Sequence, residues 1–325
     1  MSGDSGAEIG RRLRERDVSA APAALNLLES TAREHRGQAA ALLAEVSPQT
    51  LGHEAPGHVV GVTGPPGAGK STLLSALLAA WRAQARSVAM LAVDPSSRRS
   101  GGSLLGDRAR IDFDPADAAV FIRSTAAGER LGGLARGTRA AAQALAAAFD
   151  VVVIETVGVG QAETEVADVA DTVAVIVQPG GGDVLQFLKS GIMEIPDVLV
   201  VTKADVGEVA LRSQRDLSAA LRALGERSTR VLAVSSLPPP RGIDQLVQAL
   251  DAHRAGTDLA ARRRQTRAAG ALTEFAVEHG QRGLRALGGR PAAQRLLARL
   301  PVDVSEPELE AALVAALNDA PQPHG

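Results

Sequence analysis

The chain has 325 residues, 45% of them hydrophobic, and a formal net charge of −2 at pH 7, enough for one substantial core with smaller attachments. That balance leaves no global electrostatic footprint for nucleic acid or an anionic membrane, and the absence of cysteine excludes disulfides, thiolate metal sites and cysteine nucleophiles together. The opening residues MSGDSGAEIGRRLRERD are polar where a secretory signal needs an apolar core, and no apolar run reaches the roughly 18 residues of a membrane span, so a cytoplasmic protein without a membrane partner is expected.

Residues 7 to about 46 carry apolar residues at helical spacing (Ala24, Leu25, Leu27, Leu28; Ala40, Leu42, Leu43), which predicts two or so amphipathic helices. Ser47 to Gly57 reads as a linker from its Pro and Gly content. From His58 the chain alternates short β-branched runs with Ala/Leu-rich stretches: HVVGVTG, SVAMLAVD, AVFIRS, DVVVIET, TVAVIVQ, DVLVVTKAD and RVLAVSS. Runs this apolar on both faces predict an α/β doubly wound domain, with a mainly parallel sheet covered by helices. The division expected is 1–57 as an N-terminal helical extension and linker, 58–253 as the α/β domain, and 254–325 as a C-terminal helical arm. In that arm DLAARRRQTRAAGALTEFAVEHGQRGLRAL predicts a long helix and SEPELEAALVAAL a last one, opened by a capping box of Ser305 and Glu308. The arm is expected to pack on the main domain or on another chain.

Gly64-Pro65-Pro66-Gly67-Ala68-Gly69-Lys70-Ser71-Thr72 follows the run VVGVT directly and precedes the helical stretch STLLSALLAAWRAQ. That is the context of a phosphate-binding loop. Its glycines let backbone N–H groups approach phosphates and the helix N-terminus adds partial positive charge. Lys70 is placed to bridge the β- and γ-phosphates and Ser71 to ligate Mg²⁺, while Gly64, Pro66, Gly67, Ala68, Gly69 and Thr72 complete the nucleotide cradle.

Three further acids stand where metal or water would be positioned. Asp94 closes the next strand and faces the phosphates if the fold is doubly wound; its alternative is a turn residue or helix cap. Asp107 lies on the glycine- and arginine-rich connection Arg98 to Arg110 and carries the same alternative. Glu155 ends the strand DVVVIET, where it can hold Mg²⁺ through water, and the Gly158 amide three residues on can sense a γ-phosphate. Gln161 either orients the attacking water or is an ordinary loop residue.

Thr202-Lys203-Ala204-Asp205 resembles the guanine-reading element N-K-x-D, with Thr202 in place of Asn. The Asp205 carboxylate can accept both guanine donors, N1–H and N2–H, a pair that adenine lacks, and Lys203 can lay its stem along the base. Ser235, Ser236 and Leu237 resemble the backbone element beneath guanine O6. The chain has only three lysines, Lys70, Lys189 and Lys203, each in or beside one of these motifs. Genomic arginine bias is one account; the other is that a compact ammonium fits among phosphate oxygens where a guanidinium does not.

In order along about Val60 to Asp205, the motifs GPPGAGKST, AVDPSS, GDRARI, FIRS, LGGL, IETVGVGQAE, GGDVLQFLKSGIMEIPD and TKAD together resemble the MeaB/ArgK-type GTPases of the G3E class, relatives of the human methylmalonic aciduria type A protein. The resemblance implies a P-loop GTPase of slow intrinsic rate, stimulated by a partner. It also implies a chaperone that protects, loads or reactivates an adenosylcobalamin-dependent acyl-CoA mutase, with GTP/GDP as ligand, Mg²⁺ and no tightly bound organic cofactor. It assigns Lys70, Ser71, Asp94, Asp107 and Glu155 to phosphate and Mg²⁺, and Asp183, Gln186 and Lys189 to a third switch loop whose other reading is a flexible connection. A homodimer built partly through the C-terminal helices is implied too. Thr202 and the stretch AAGERLGGL depart from the family pattern.

Two other activities compete. A nickel-insertion GTPase of the same class needs His or Cys clusters, and this chain has no Cys and six scattered His. A P-loop ATPase or kinase linked to amino-acid transport is opposed by the TKAD element.

Overall fold

The computed structural model describes residues 4–30, 32, 34–94, 111–126, 136–156, 166–180 and 196–319, apart from the side chains of Asp94, Ala126 and Arg136. In chain order its elements begin with α1 (Gly6–Arg14), α2 (Ala21–Leu28), α3 (His35–Glu45), α4 (Pro48–Leu51), β1 (His58–Thr63), α5 (Lys70–Ala83), β2 (Val88–Asp94) and β3 (Val120–Ala126). They continue with α6 (Arg136–Ala148), β4 (Val151–Thr156), β5 (Thr172–Val177), β6 (Val198–Val201), α7 (Glu208–Ala223) and β7 (Arg230–Ala233). The last are α8 (Ile243–Gly256), α9 (Leu259–Ala286), α10 (Arg290–Ala298) and α11 (Glu306–Asp319). They form two compact units: Gly57–Thr138 with Phe149–Thr257, and Met1–Pro56 with Arg139–Ala148 and Asp258–Gly325.

The first unit holds a seven-stranded sheet in the order β3-β2-β4-β1-β5-β6-β7, and every pairing is parallel. All seven apolar runs of the sequence are strands of it. β1 and β5 are buried at every position, the pattern of a parallel sheet shielded on both faces. One face, carrying Val60, Val62, Val88, Met90, Val151, Val153, Ala174 and Ile176, packs with Leu73, Leu77 and Trp81 of α5 and Leu246, Val247 and Leu250 of α8. Each of these large side chains contributes roughly 1.5–3 kcal/mol by leaving water.

The amino ends of the strands are stapled by a repeated device. Asp150, Asp171 and Asp197 each stand immediately before a strand, and each carboxylate accepts the backbone N–H of a residue in or just before a neighbouring strand: Ser87, Val59 and Val173, all at 2.8 Å. The carboxyl ends, where loops gather, are left for ligand, and β1 lies near the centre of the sheet. Its onward connection goes to β2 on one side of β4, and that of β4 goes to β5 on the other side of β1, so the strand order reverses there.

In the second unit the two or so N-terminal helices expected are the three helices α1, α2 and α3. α1 and α3 approach closely: the Gly6 N–H donates to Gln38 Oε1 at 2.6 Å, and Ile9, Leu13, Leu25 and Leu42 are buried. The stretch expected to be linker starts with α4, because Ser47 caps it by accepting from the Thr50 N–H and Pro48 fits the first turn. The long helix forms as expected but kinks at Gly280 (φ 63°, ψ −168°). A helix not foreseen, α10, starts after Gly289 with Pro291 in its first turn. It completes a core of Leu272, Phe275, Leu284, Ala293, Leu297, Leu309 and Leu313, so the C-terminal helices pack largely on one another. Arg267 in α9 makes two bonds to the Glu54 carboxylate, at 2.9 and 3.0 Å. The capping box at α11 forms through the Ser305 N–H donating to Glu308 Oε2 at 2.9 Å. No helix among the described residues is long and apolar enough to cross a membrane.

Candidate functional site

β1 ends at Thr63, and the loop from Gly64 to Gly69 delivers the chain into α5. At Gly64 (φ 150°) the backbone runs flush against β5: a Cβ there would lie 2.2 Å from the Ile176 carbonyl oxygen, so no larger residue fits. Gly69 caps α5 in the left-handed region (φ 87°). The first turn of α5 carries no acidic residue, so no carboxylate competes with an anion for the positive end of its dipole. Beneath the loop the Thr156 hydroxyl of β4 donates to the Thr63 hydroxyl of β1 at 2.8 Å, both side chains fully buried.

Lys70, 8% exposed, folds back over this loop. Its ammonium donates to the Gly64 carbonyl at 2.7 Å and the Pro65 carbonyl at 3.2 Å. An ammonium held by neutral carbonyls can exchange one of them for a phosphate oxygen at little reorganisation. Ser71 is half-buried in the first turn and Thr72 is exposed, while Pro66 and Gly67 stand exposed at the loop's crest.

The Thr202–Asp205 loop leaves β6 two strands away and is fastened to the phosphate loop at two points. The Thr202 hydroxyl, buried, donates to the Ala68 carbonyl at 2.6 Å and lies 3.2 Å from the Val177 carbonyl. The Lys203 ammonium donates to the Gly67 carbonyl at 3.0 Å and to Gln178 Oε1 at 3.1 Å. The hydroxyl of Thr202 therefore supplies a polar support for this loop without the amide of the more usual Asn.

Asp205 is exposed and oriented by Ser235, whose hydroxyl donates to Asp205 Oδ1 at 2.9 Å. Ser235 is itself set by a two-way backbone bridge to Arg241 at 2.9 Å each way, and the Ala204 N–H donates to the Val234 carbonyl at 2.9 Å. Ser236 is half-buried, and Leu237 projects 55% exposed from the rim of the same loop. A carboxylate fixed on one oxygen keeps the other free to accept the paired donors of a guanine edge.

A phosphate cradle fastened to a loop with a presented carboxylate is the arrangement of a guanine-nucleotide site, and similarity to known proteins decides the family. Residues 21–282 match the family described as methylmalonyl-CoA mutase-associated GTPase MeaB. The chain belongs to the MeaB GTPases. GTPase ArgK of Escherichia coli is 39% identical over 254 residues, 75% of this chain and 74% of that one. The mitochondrial methylmalonic aciduria type A homolog of Mus musculus is 43% identical over 172 residues, 52% of this chain and 41% of that one. A solved structure of an LAO/AO transport system kinase superposes with a TM-score of 0.65 at 27% identity, covering 99% of this chain and 95% of that one. The chain spans 66% to 74% of the length of curated bacterial relatives.

As a MeaB GTPase the chain takes a guanine nucleotide, for which Mg²⁺ is the typical companion. Hard oxygen donors suit that ion, which keeps waters and binds through one or two carboxylates and substrate phosphates. The donors at hand fit: the Ser71 hydroxyl has no hydrogen-bond partner among the described residues, and Glu155, half-buried, is the penultimate residue of β4 beside both β1 and β2, in register with Val62 and Ala92. Asp94 ends β2 one residue beyond the Val93–Thr156 pairing. Among the described residues no group of three or more His or acidic side chains gathers to hold a metal. Asp107, Gly158, Gln161, Asp183, Gln186 and Lys189 lie outside the described residues.

Gln178, the Thr63–Thr156 hydroxyl pair and the hydroxyl role of Ser235 were not foreseen from sequence. Gln178 follows β5 directly, and only the strand order, which sets β5 beside β6, could have drawn attention to it.

Proposed function

We propose that this MeaB-family protein is a GTP-hydrolysing chaperone that protects, loads or reactivates an adenosylcobalamin-dependent acyl-CoA mutase of the methylmalonyl-CoA mutase type. The observation that carries the nucleotide half is the double fastening of the Thr202–Asp205 loop to the phosphate loop, through Ala68 and Gly67. The partner half is supported by the family's description as mutase-associated.

In the mechanism, Asp205 accepts the guanine N1–H and N2–H while Ser235 keeps it turned to the base. The Lys203 stem lies along the ring. Lys70 turns its ammonium from the Gly64 and Pro65 carbonyls to the β,γ-phosphate oxygens, and the N–H groups opening α5 donate to the same phosphates. Ser71, with Glu155 and Asp94 or Asp107 behind it, would hold Mg²⁺, which when bound would supply positive charge against the phosphate oxygens. Such transfer rests on positioning and electrostatics, so a chain whose loops await a partner hydrolyses GTP slowly alone. Gln161 is assigned to orienting the attacking water, and Asp183, Gln186 and Lys189 to a third switch that passes nucleotide state to the mutase. The C-terminal helices are proposed to contribute to a homodimer.

Steady-state GTP hydrolysis with and without the organism's own mutase tests the reading, together with co-purification of the two. Stimulation by the mutase is expected, and Lys189→Ala should abolish most of it while GDP affinity stays within a few-fold. A mutase that neither co-purifies nor changes the GTPase rate sinks the chaperone assignment; preference for ATP over GTP sinks the guanine assignment as well.

A further inference from the structure

Three non-glycine residues among those described adopt positive φ: Arg16, Ala85 and Lys203. Arg16 and Ala85 each lie one residue past the cap that closes a helix, α1 and α5, where the left-handed turn satisfies helix-end carbonyls. Lys203 (φ 55°) closes no helix: it follows β6 and leads into the short 3₁₀ turn Ala204–Val206. A left-handed conformation held there without that compensation marks a residue whose placement is imposed by its surroundings.

The side chain is held as firmly as the backbone. An exposed lysine ordinarily leaves its ammonium to water, yet this one is shared between two acceptors on different strands' loops, Gly67 O at 3.0 Å and Gln178 Oε1 at 3.1 Å. With one acceptor the ammonium can pivot about it; with two, the stem is confined. The backbone leading into Gln178 is tied to the lysine's own loop, because the carbonyl of Val177 accepts from the Thr202 N–H at 3.0 Å, and the Thr202 hydroxyl lies 3.2 Å from the same oxygen. The strand end that carries the acceptor is therefore held beside the loop that carries the lysine.

We infer that Gln178 is a positioning residue for base recognition: its amide oxygen, with the Gly67 carbonyl, confines the Lys203 stem to the surface on which a guanine ring stacks. The inference rests on the guanine-site reading above. Gln178 acts through Lys203 alone and reads no base edge, so it sets affinity and leaves the choice of base to Asp205.

The test is a double-mutant cycle read by calorimetry with GDP. Gln178→Leu keeps the size and removes the acceptor, and should raise the Kd about tenfold, the worth of one hydrogen bond. Placed in a Lys203→Ala background the same change should alter the Kd by less than about twofold, since nothing remains to position. Gln178→Glu, which restores an acceptor, should return the Kd to within about threefold of wild type. An unchanged Kd in Gln178→Leu, an equal loss in both backgrounds, or no rescue by Gln178→Glu overturns the inference. Wild-type protein that binds no GDP would instead overturn the guanine site itself, with Gln178 falling as a consequence.

Discussion

The Thr202 hydroxyl donates to the Ala68 carbonyl across 134 residues of sequence, at 2.6 Å, and so joins the base-reading loop to the phosphate loop. On the proposed function these two loops meet the base and the phosphates of one nucleotide, and their coupling would lower the ordering cost of binding. Thr202→Val keeps the shape and removes the donor, leaving the Ala68 carbonyl without it. GDP affinity should fall about five- to tenfold, with a modest drop in melting temperature, because one buried hydrogen bond is lost. Thr202→Ser keeps the hydroxyl and should bind within about twofold of wild type. Equal affinities in Val and Ser variants would remove the hydroxyl from the account.

Lys70→Ala tests the phosphate loop. The ammonium donates to the Gly64 and Pro65 carbonyls of its own loop and fills no apolar core, so its removal should cost the fold little. Loss of charge-assisted contacts to two phosphate groups, each roughly 1.5–3 kcal/mol, should weaken GDP by about a hundredfold or more. Calorimetry on a variant with near-native melting decides it: undiminished GDP affinity would end the assignment.

Asp205→Asn exchanges an acceptor-only carboxylate for an amide with its own donors. With Ser235 still pinning one side of the group, preference should move from guanine toward xanthine nucleotides. Competition between GDP and XDP measures it, and an unchanged order of preference would take Asp205 off the base edge.

The strands were legible because a parallel sheet shielded on both faces demands near-continuous apolar runs, and β1 and β5 are buried throughout. The phosphate loop was legible because a glycine turn before a helix that opens on Lys-Ser has few other uses. Side-chain partnerships were not, since Thr202–Ala68, Lys203–Gln178 and Ser235–Asp205 join residues that only the strand order brings together. α10 escaped notice because its nine residues follow a Gly-Gly pair and bury only Ala293 and Leu297, too little for a periodic signal. The aspartate staples sat in plain view, each one residue before an apolar run, but their meaning depends on which strand lies alongside.

Those staples carry a stability prediction. Asp171, 1% exposed, accepts the Val59 N–H at 2.8 Å, so Asp171→Ala leaves a buried donor at the edge of the central strand unpaired. The cost should be roughly 1–3 kcal/mol, seen as a lower denaturation midpoint with an unchanged slope. Wild-type stability in the variant would show that another group takes the N–H.

At the same end of the sheet, a chain of polar groups that starts at the buried His58 and Thr172 makes stability depend on pH. His58, 1% exposed, has Nε2 at 2.8 Å from the Thr172 hydroxyl, which lies 2.9 Å from His253 Nδ1, and His253 Nε2 is 3.1 Å from Asp197 Oδ1. One consistent proton arrangement has His253 donating to Asp197, Thr172 donating to His253, and a neutral His58 donating to Thr172. Burial pushes the His58 pKa below its ordinary value of 6.5 and Arg254 pushes the same way, against Asp251 and Asp171, whose charges favour the imidazolium; Arg86 meanwhile pairs with Asp251 at 3.0 Å. Because the folded pKa is depressed, the unfolded chain binds more protons just below pH 6.5, so the stability tied to a neutral His58 is present above that pH and is lost as pH falls toward the folded value. His58→Gln can still donate to Thr172 but cannot titrate. Chemical denaturation between pH 8 and pH 5 should therefore give a shallower fall in stability for the variant than for wild type, and superimposable pH profiles would mean that His58 carries no part of the dependence.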